Sequence, residues 1–285
     1  MQKQFTNILW GTTLLSVSST IIIIYTYLTE YWLVSTAVTS DQSEYLSEIN
    51  YGLIFGTIER RLDIASGSEY RLTISCLLNK NICAWSCLNN MYERMDEIED
   101  LYDSGAVSFG CHKISYQSRS ARSGLKLTKN ITSADLEHQH NSYINATVWI
   151  STLICLATAG IICSASVVIT IINIFYHPIR TFMTVQGLYV WHAVGAIFIL
   201  FVILLWGSLY LMTLKKNVAI VDTIMGTLSS DGGAYLGYSY WLNLLPALFE
   251  GACIGLLYLR QRLYEQKPID TIVPIDVGSS ISHLY

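Results

Sequence analysis

The chain has 285 residues, of which 52% are hydrophobic and only 13% charged, and its mean hydropathy is +0.40. That composition excludes an ordinary soluble domain and directs the search for function to a membrane. The net charge of −4 includes no basic block beyond Arg260, Arg262 and Lys267, which excludes nucleic acid as a partner.

After a short N-terminus at residues 1–7, an apolar run predicts a first span over 8–32, with four isoleucines at 21–24 and the Tyr31-Trp32 rings suited to a headgroup layer. Lys3, this run and Ser35-Thr36-Ala37 outline a secretory leader. The apolar core is far longer than the usual 7–15 or so residues, however, so the segment is read as a retained span.

Residues 33–146 form one long polar loop that holds most of the acidic residues and the sequon Asn130-Ile131-Thr132. A loop of this length predicts a folded unit or disorder. Tyr51–Gly56 and Arg71–Cys76 read as strands of a small sheet, bounded by Asn50 and an Ala65-Ser66-Gly67-Ser68 turn. Met91, Met95, Ile98, Leu101 and Tyr102 then recur at helical spacing, with Asn90 as cap, Glu93 at the third position and Gly105 past the end. The opposite face, Glu93, Asp96, Glu97, Glu99, Asp100 and Asp103, lacks the alternation of a calcium loop and reads as solvated. Ser115–Lys129 is basic and serine-rich, the composition of a flexible linker. Four cysteines, Cys76, Cys83, Cys87 and Cys111, fall in this loop as disulfide candidates. Sequence nearness favours Cys83 with Cys87, or Cys76 with Cys87, among the three full connectivities that four cysteines allow.

The second span is predicted over 147–175 and is rich in small residues that admit a close neighbour; a cytoplasmic turn follows at 176–186. The third span, 187–214, runs 28 residues without a formal charge, about 40 Å as a helix, and stops at Lys215-Lys216. A second loop at 215–238 leads to the fourth span, 239–259, which carries Pro246 and Glu250; the tail, 260–285, has the composition of a flexible terminus. Cys155, Cys163 and Cys253 lie inside spans and read as small apolar fillers. The expected fold class is therefore an all-α membrane protein, a four-transmembrane-helix bundle with a small β-containing first extracellular domain. Lys3, Arg180, Arg260, Arg262 and Lys267 flank spans on one side, against Lys215 and Lys216 on the other, which predicts cytoplasmic termini. Asn130 and the loop cysteines then face outward, the side of glycosylation and disulfides. The second sequon, Asn145-Ala146-Thr147, abuts a span, so Asn130 is the stronger glycan site.

Several of these residues together resemble a known pattern. They are Tyr31-Trp32-Leu33 after the first span, Gly52-Leu53-Ile54-Phe55 in the loop, Gly187-Leu188-Tyr189 opening the third span, Ser239-Tyr240-Trp241 opening the fourth, and the closing Leu284-Tyr285. The pattern is similar to the claudin and peripheral-myelin-protein superfamily, and within it to the clarins, as a divergent member. Trp32, Gly52, Leu53 and Phe55 are the motif residues. The resemblance implies a claudin-like fold and a tetraspan plasma-membrane glycoprotein of sensory or epithelial cells. It also implies that such a protein organises membrane and actin-linked cytoskeletal scaffold partners. The alternative it leaves open is a claudin-like cell-contact, paracellular or ion-conducting protein.

No Ser-His-Asp set, phosphate-cradling glycine loop or metal spacing is present in a consistent context, so neither enzyme activity nor a cofactor is expected. His138 and His140 beside Glu137 read as solvated loop residues. The lipid bilayer is the one partner that composition requires. Inside the spans, His192 and Glu250 stand out, because a charge at mid-membrane costs about 2.5–3.5 kcal/mol. They are expected to pair as a polar clamp between spans three and four, with Asn243 and Asn173 as further polar groups; a proton-coupled or conducting role is the alternative. Gly251 and Gly255 form a small-xxx-small face that serves either internal packing, the favoured reading, or homo-oligomerisation.

Overall fold

The computed structural model describes residues 2–39, 46–61, 67–104, 143–176, 183–215, 228–229 and 232–265. Helix α1, Gln2–Leu28, is the first span. Strands β1 (Leu33–Thr39), β2 (Leu46–Tyr51), β3 (Phe55–Arg61), β4 (Gly67–Leu77) and β5 (Ile82–Ser86) follow, then helix α2 (Met91–Ser104) and a short β6 (Ile144–Asn145). The second span is α3, Ala146–Phe175, and the third is α4, Val185–Leu209, which runs on as one π-helical turn over Tyr210–Leu214. Two short strands, β7 (Leu228–Ser229) and β8 (Ala234–Leu236), precede the fourth span. That span is split into α5 (Tyr238–Leu242) and α6 (Leu244–Glu265).

Four helices are thus long and apolar enough to cross a membrane. They form a ring in which α1 packs on α3 and α6, and α4 packs on α3 and α6. The fourth span breaks at Asn243 because Pro246 has no N–H to donate to the Leu242 carbonyl. Placed in the first turn of α6, the proline leaves unmade only a bond that a helix start lacks anyway.

The expectation of a small sheet confined to the first loop is corrected. One antiparallel sheet of eight strands runs in the order β6-β5-β4-β3-β2-β1-β7, with β8 also on β1, so the loop between spans three and four contributes two of its strands. The expected strand Tyr51–Gly56 is corrected as well: Tyr51 ends β2, Phe55 begins β3, and Gly52-Leu53-Ile54 makes the turn between them. A Cβ on Gly52 would lie 2.2 Å from the Thr29 carbonyl oxygen, so only glycine lets this turn pass so close to the end of α1. Gly237 does the same from the other side, 2.1 Å from the Tyr31 carbonyl oxygen.

Between these glycines runs the Tyr31-Trp32 segment. The Trp32 N–H donates to the Tyr51 carbonyl and its own carbonyl accepts from Gly237, both at 2.9 Å. Trp32 is therefore a core residue with no exposed surface. Its ring begins an aromatic series through the junction of sheet and bundle. Trp32 meets Trp206 at 5.1 Å between centroids, Trp206 meets Trp149 at 5.1 Å, Trp149 meets Trp85 at 5.6 Å, and Trp85 stacks on Tyr51 at 4.3 Å. The indole N–H groups of Trp85, Trp149 and Trp206 have no conventional acceptor among the described residues.

Helix α2 forms as its periodicity predicts, with Ile98 and Leu101 buried and Asn90 Oδ1 accepting from Tyr92 N at its start. Its acidic face is not uniformly solvated. Glu97 is half-buried and accepts a hydrogen bond from the Ser86 hydroxyl of β5.

Candidate functional site: a buried His–Glu pair

The bundle interior is lined by hydroxyl-bearing residues from α1, where the adjacent Thr12 and Thr13 are followed at three- to four-residue intervals by Ser16 and Ser19, all buried. Thr12 and Thr13 return their hydroxyls to the Leu9 carbonyl, the usual way such residues meet their needs in a helix. Against this seam α6 sets Pro246, Glu250, Cys253 and Leu257, its buried face.

His192 of α4 and Glu250 of α6 meet at the centre. Nδ1 and Oε2 are 2.6 Å apart and neither side chain has any exposed surface. Gly195, one turn after His192, borders the same space: a Cβ there would sit at ordinary contact distance, 3.7 Å from Glu250 Oε2 and 3.5 Å from Cys163 Sγ of α3. Cys253 closes the site on the α1 side, its thiol 3.6 Å from the Thr12 carbonyl oxygen and 3.8 Å from Ser16 Oγ. His192 Nε2, Glu250 Oε1 and Ser19 Oγ are buried without a hydrogen-bond partner among the described residues.

Neither of the other expected polar groups joins the pair. Asn243 donates to the Ser239 carbonyl at 2.7 Å and accepts from Thr26 at 3.2 Å, holding the break in the fourth span against α1. Asn173 bonds the Ile169 and Met183 carbonyls, tying the end of α3 to the turn before α4. Gly251 and Gly255 require a correction. Both are exposed on the outer surface of α6, and a Cβ added to either would meet no atom within 4 Å, so they do not close the bundle internally.

The cysteine pairing expected from nearness is likewise corrected. Cys76 and Cys83 are directly opposed in the β4–β5 ladder and form a disulfide, while Cys87 is disulfide-bonded as well. Of the motif residues, Trp32 and Leu53 are buried, Gly52 makes the close turn and Phe55 is largely exposed. Asn145 caps α3, its Oδ1 accepting from Val148 N at 3.1 Å. Asn130, Cys111, Glu137, His138 and His140 lie outside the described residues. Among the described residues no group of three or more His, Cys, Asp or Glu is placed to hold a metal ion.

Reading for charges inside spans finds His192 and Glu250 but misses Gly195, Ser16 and Cys163, which shape the space around them. The available signal is the hydroxyl seam on α1: in lipid, Ser and Thr repeating every three or four residues mark the side that faces protein. Compared with models of known families and with curated proteins, the chain matches none. The clarin and claudin likeness therefore rests on the motif residues of the sequence alone.

Proposed function

We propose that the protein is a clarin-like tetraspan glycoprotein of the plasma membrane, with both termini cytoplasmic, that organises membrane and actin-linked partners in sensory or epithelial cells. The observation that carries the reading is the convergence of the motif on one junction. Trp32, Gly52 and Leu53 weld the first-loop sheet to the end of α1, and β8 from the other loop adds to the same sheet. A sheet fixed in this way to four spans is a rigid platform that couples contacts on one side of a membrane to a tail on the other. The orientation rests on the basic residues flanking the spans, and on the sequon and disulfides being in the loop that builds the sheet.

Proximity labelling from a C-terminal fusion in polarised cells tests this reading. Enrichment of cytoskeleton-linked membrane proteins supports it, and labelling indistinguishable from an unrelated four-span control overturns it. The buried His192–Glu250 pair favours a second reading, a claudin-like or channel-regulating protein. Under that reading expression changes whole-cell or transepithelial conductance, and Glu250→Gln alters the change.

A further inference from the structure

Four exposed rings gather where the first span ends and the fourth begins. Tyr25 lies in the last turn of α1 and Tyr31 shortly after that helix, while Tyr238 and Trp241 stand three residues apart on α5 and so share one of its faces. Each of the four is between 42% and 55% exposed. Tyr31 stacks on Tyr238 with centroids 5.2 Å apart and an interplanar angle of 25°, and the Tyr25 and Tyr238 hydroxyls are hydrogen-bonded at 3.2 Å. The backbone fixes the grouping. The Tyr31 carbonyl accepts from Ser239 N at 3.1 Å and the Trp32 carbonyl from Gly237 N at 2.9 Å, which ties the segment after α1 to the start of α5.

Large apolar side chains exposed one at a time need no explanation, but a contiguous group of them does. What covers this group follows from its position. Both spans are long and apolar enough to cross a membrane, and the rings sit at the end of one and the start of the other, the depth of the lipid headgroups. The local chemistry then narrows the headgroup. Glu30 is the one formal charge in residues 21–39 and 232–247, so these segments hold no Lys or Arg to draw the phosphate of an anionic lipid. They offer ring faces instead, the negative side of the aromatic quadrupole, together with one carboxylate. Stacking occupies one face of Tyr31 and one of Tyr238, and the exposure of both rings leaves their other faces open. Such faces attract a quaternary ammonium, a cation that has no N–H and asks for no hydrogen-bond acceptor.

We propose that Tyr25, Tyr31, Tyr238 and Trp241 form a binding site for the quaternary ammonium headgroup of a choline phospholipid. Cation–π attraction to the open ring faces holds the trimethylammonium group, while the lipid phosphate stays in the hydrated interface. A lipid bound there spans the seam between the first and fourth helices, beside the segment that welds the sheet to the bundle. This inference does not depend on which partners the protein organises, nor on which side of the membrane the termini lie.

The test is native mass spectrometry of the full chain in detergent containing equimolar phosphatidylcholine, phosphatidylethanolamine and phosphatidylglycerol with identical acyl chains. The expected result is retention of phosphatidylcholine over phosphatidylglycerol by about fivefold or more, the ratio that two ring faces at the exposed end of the cation–π range supply. Phosphatidylcholine should also exceed phosphatidylethanolamine. Tyr31→Leu, which stays apolar but deletes a ring, should bring the preference below about twofold, whereas Tyr238→Phe, which keeps the ring face and deletes only the hydroxyl, should retain it. Equal retention of the three lipids by the wild type overturns the proposal, and so does a preference for phosphatidylglycerol or one that Tyr31→Leu leaves intact. Equal retention of phosphatidylcholine and phosphatidylethanolamine overturns the assignment to a quaternary ammonium. Should Tyr31→Leu not fold, Trp241→Leu takes its place with the same expected loss.

Discussion

Asn81 holds Thr147 twice. Its Oδ1 accepts from the Thr147 backbone N–H at 2.9 Å and from the hydroxyl at 2.7 Å, while its own carbonyl accepts from Ala146 N. The β4–β5 hairpin thereby caps the second span, and Asn81 adopts a positive φ of 54° to do so. The residue gripped is the hydroxyl position of the sequon Asn145-Ala146-Thr147.

That grip predicts the glycosylation pattern. With the Thr147 hydroxyl donated to Asn81 and the Asn145 amide capping α3, the folded sequon is closed, so Asn145 carries no glycan. Glycosidase treatment should shift the gel band of wild type and of Asn145→Gln equally, and should not shift Asn130→Gln. Asn145→Ala should also cost about 1 kcal/mol through the lost cap.

The second prediction concerns the weld at Trp32, whose indole N–H donates to the Thr26 carbonyl at 2.6 Å. Trp32→Phe keeps a ring and loses that bond, costing about 1–2 kcal/mol, while Trp32→Ala costs about 3–5 kcal/mol and abolishes surface delivery. Thermal unfolding in detergent ranks the two. Equal stability of Trp32→Phe and wild type removes the hydrogen bond from the account.

Between a glycine of the fourth span and one of the third the expected contrast is sharp. Gly255→Leu projects into open surroundings and should leave folding yield and delivery near wild type, whereas Gly195→Leu drives a side chain into Cys163 and Glu250 and should reduce both severely. For the same reason Cys253, buried against α1, should not support a disulfide-linked dimer in membranes.

Glu97 supplies a pH dependence. Burial raises its carboxyl pKa above the usual value of 4.5, opposed in part by the Ser86 hydrogen bond. The folded protein therefore holds this proton more tightly than the unfolded chain does. The associated stability is fully present below the unfolded value and is lost as pH rises through the folded one. Glu97→Gln, which mimics the protonated form, should accordingly melt higher than wild type at neutral pH, with the gap closing in acid. Parallel melting curves at every pH would show that Glu97 is not held in this way.

The β4–β5 disulfide closes a short loop, with a sequence separation of 7. Replacing Cys76 and Cys83 with serine should cost about 2–3 kcal/mol. Non-reducing peptide mapping should recover these two residues in one linked peptide.

What is legible in the sequence follows from which forces act locally. The four spans are plain because uncharged runs as long as Gly187–Leu214 have no stable alternative to a helix in lipid. His192 and Glu250 stand out because each breaks such a run. Register and facing are less accessible. Tyr51–Gly56 reads as a strand because its side chains are apolar, yet the backbone approach at Gly52 that makes it a turn depends on Thr29, distant in sequence. Cys76 pairs with Cys83 because the ladder sets them opposite, which distance along the chain does not encode. The direction of the glycine stripe is readable from spacing: Glu250, Cys253 and Leu257 share one helical face, and that face is turned away from Gly251 and Gly255. Strands β7 and β8 are too short to carry a period at all.

The aromatic series that joins sheet to bundle also makes the molecule report optically on itself. Indoles set edge-on and tilted to one another at such short centroid spacings couple their electronic transitions, so the near-ultraviolet circular dichroism of the folded protein should be dominated by this one assembly. Any event that lifts the sheet from the spans uncouples those chromophores while the helices stay wound. The signal would then vanish ahead of any change in the far ultraviolet, a label-free readout of the docked state, built from residues whose first duty is to fill space.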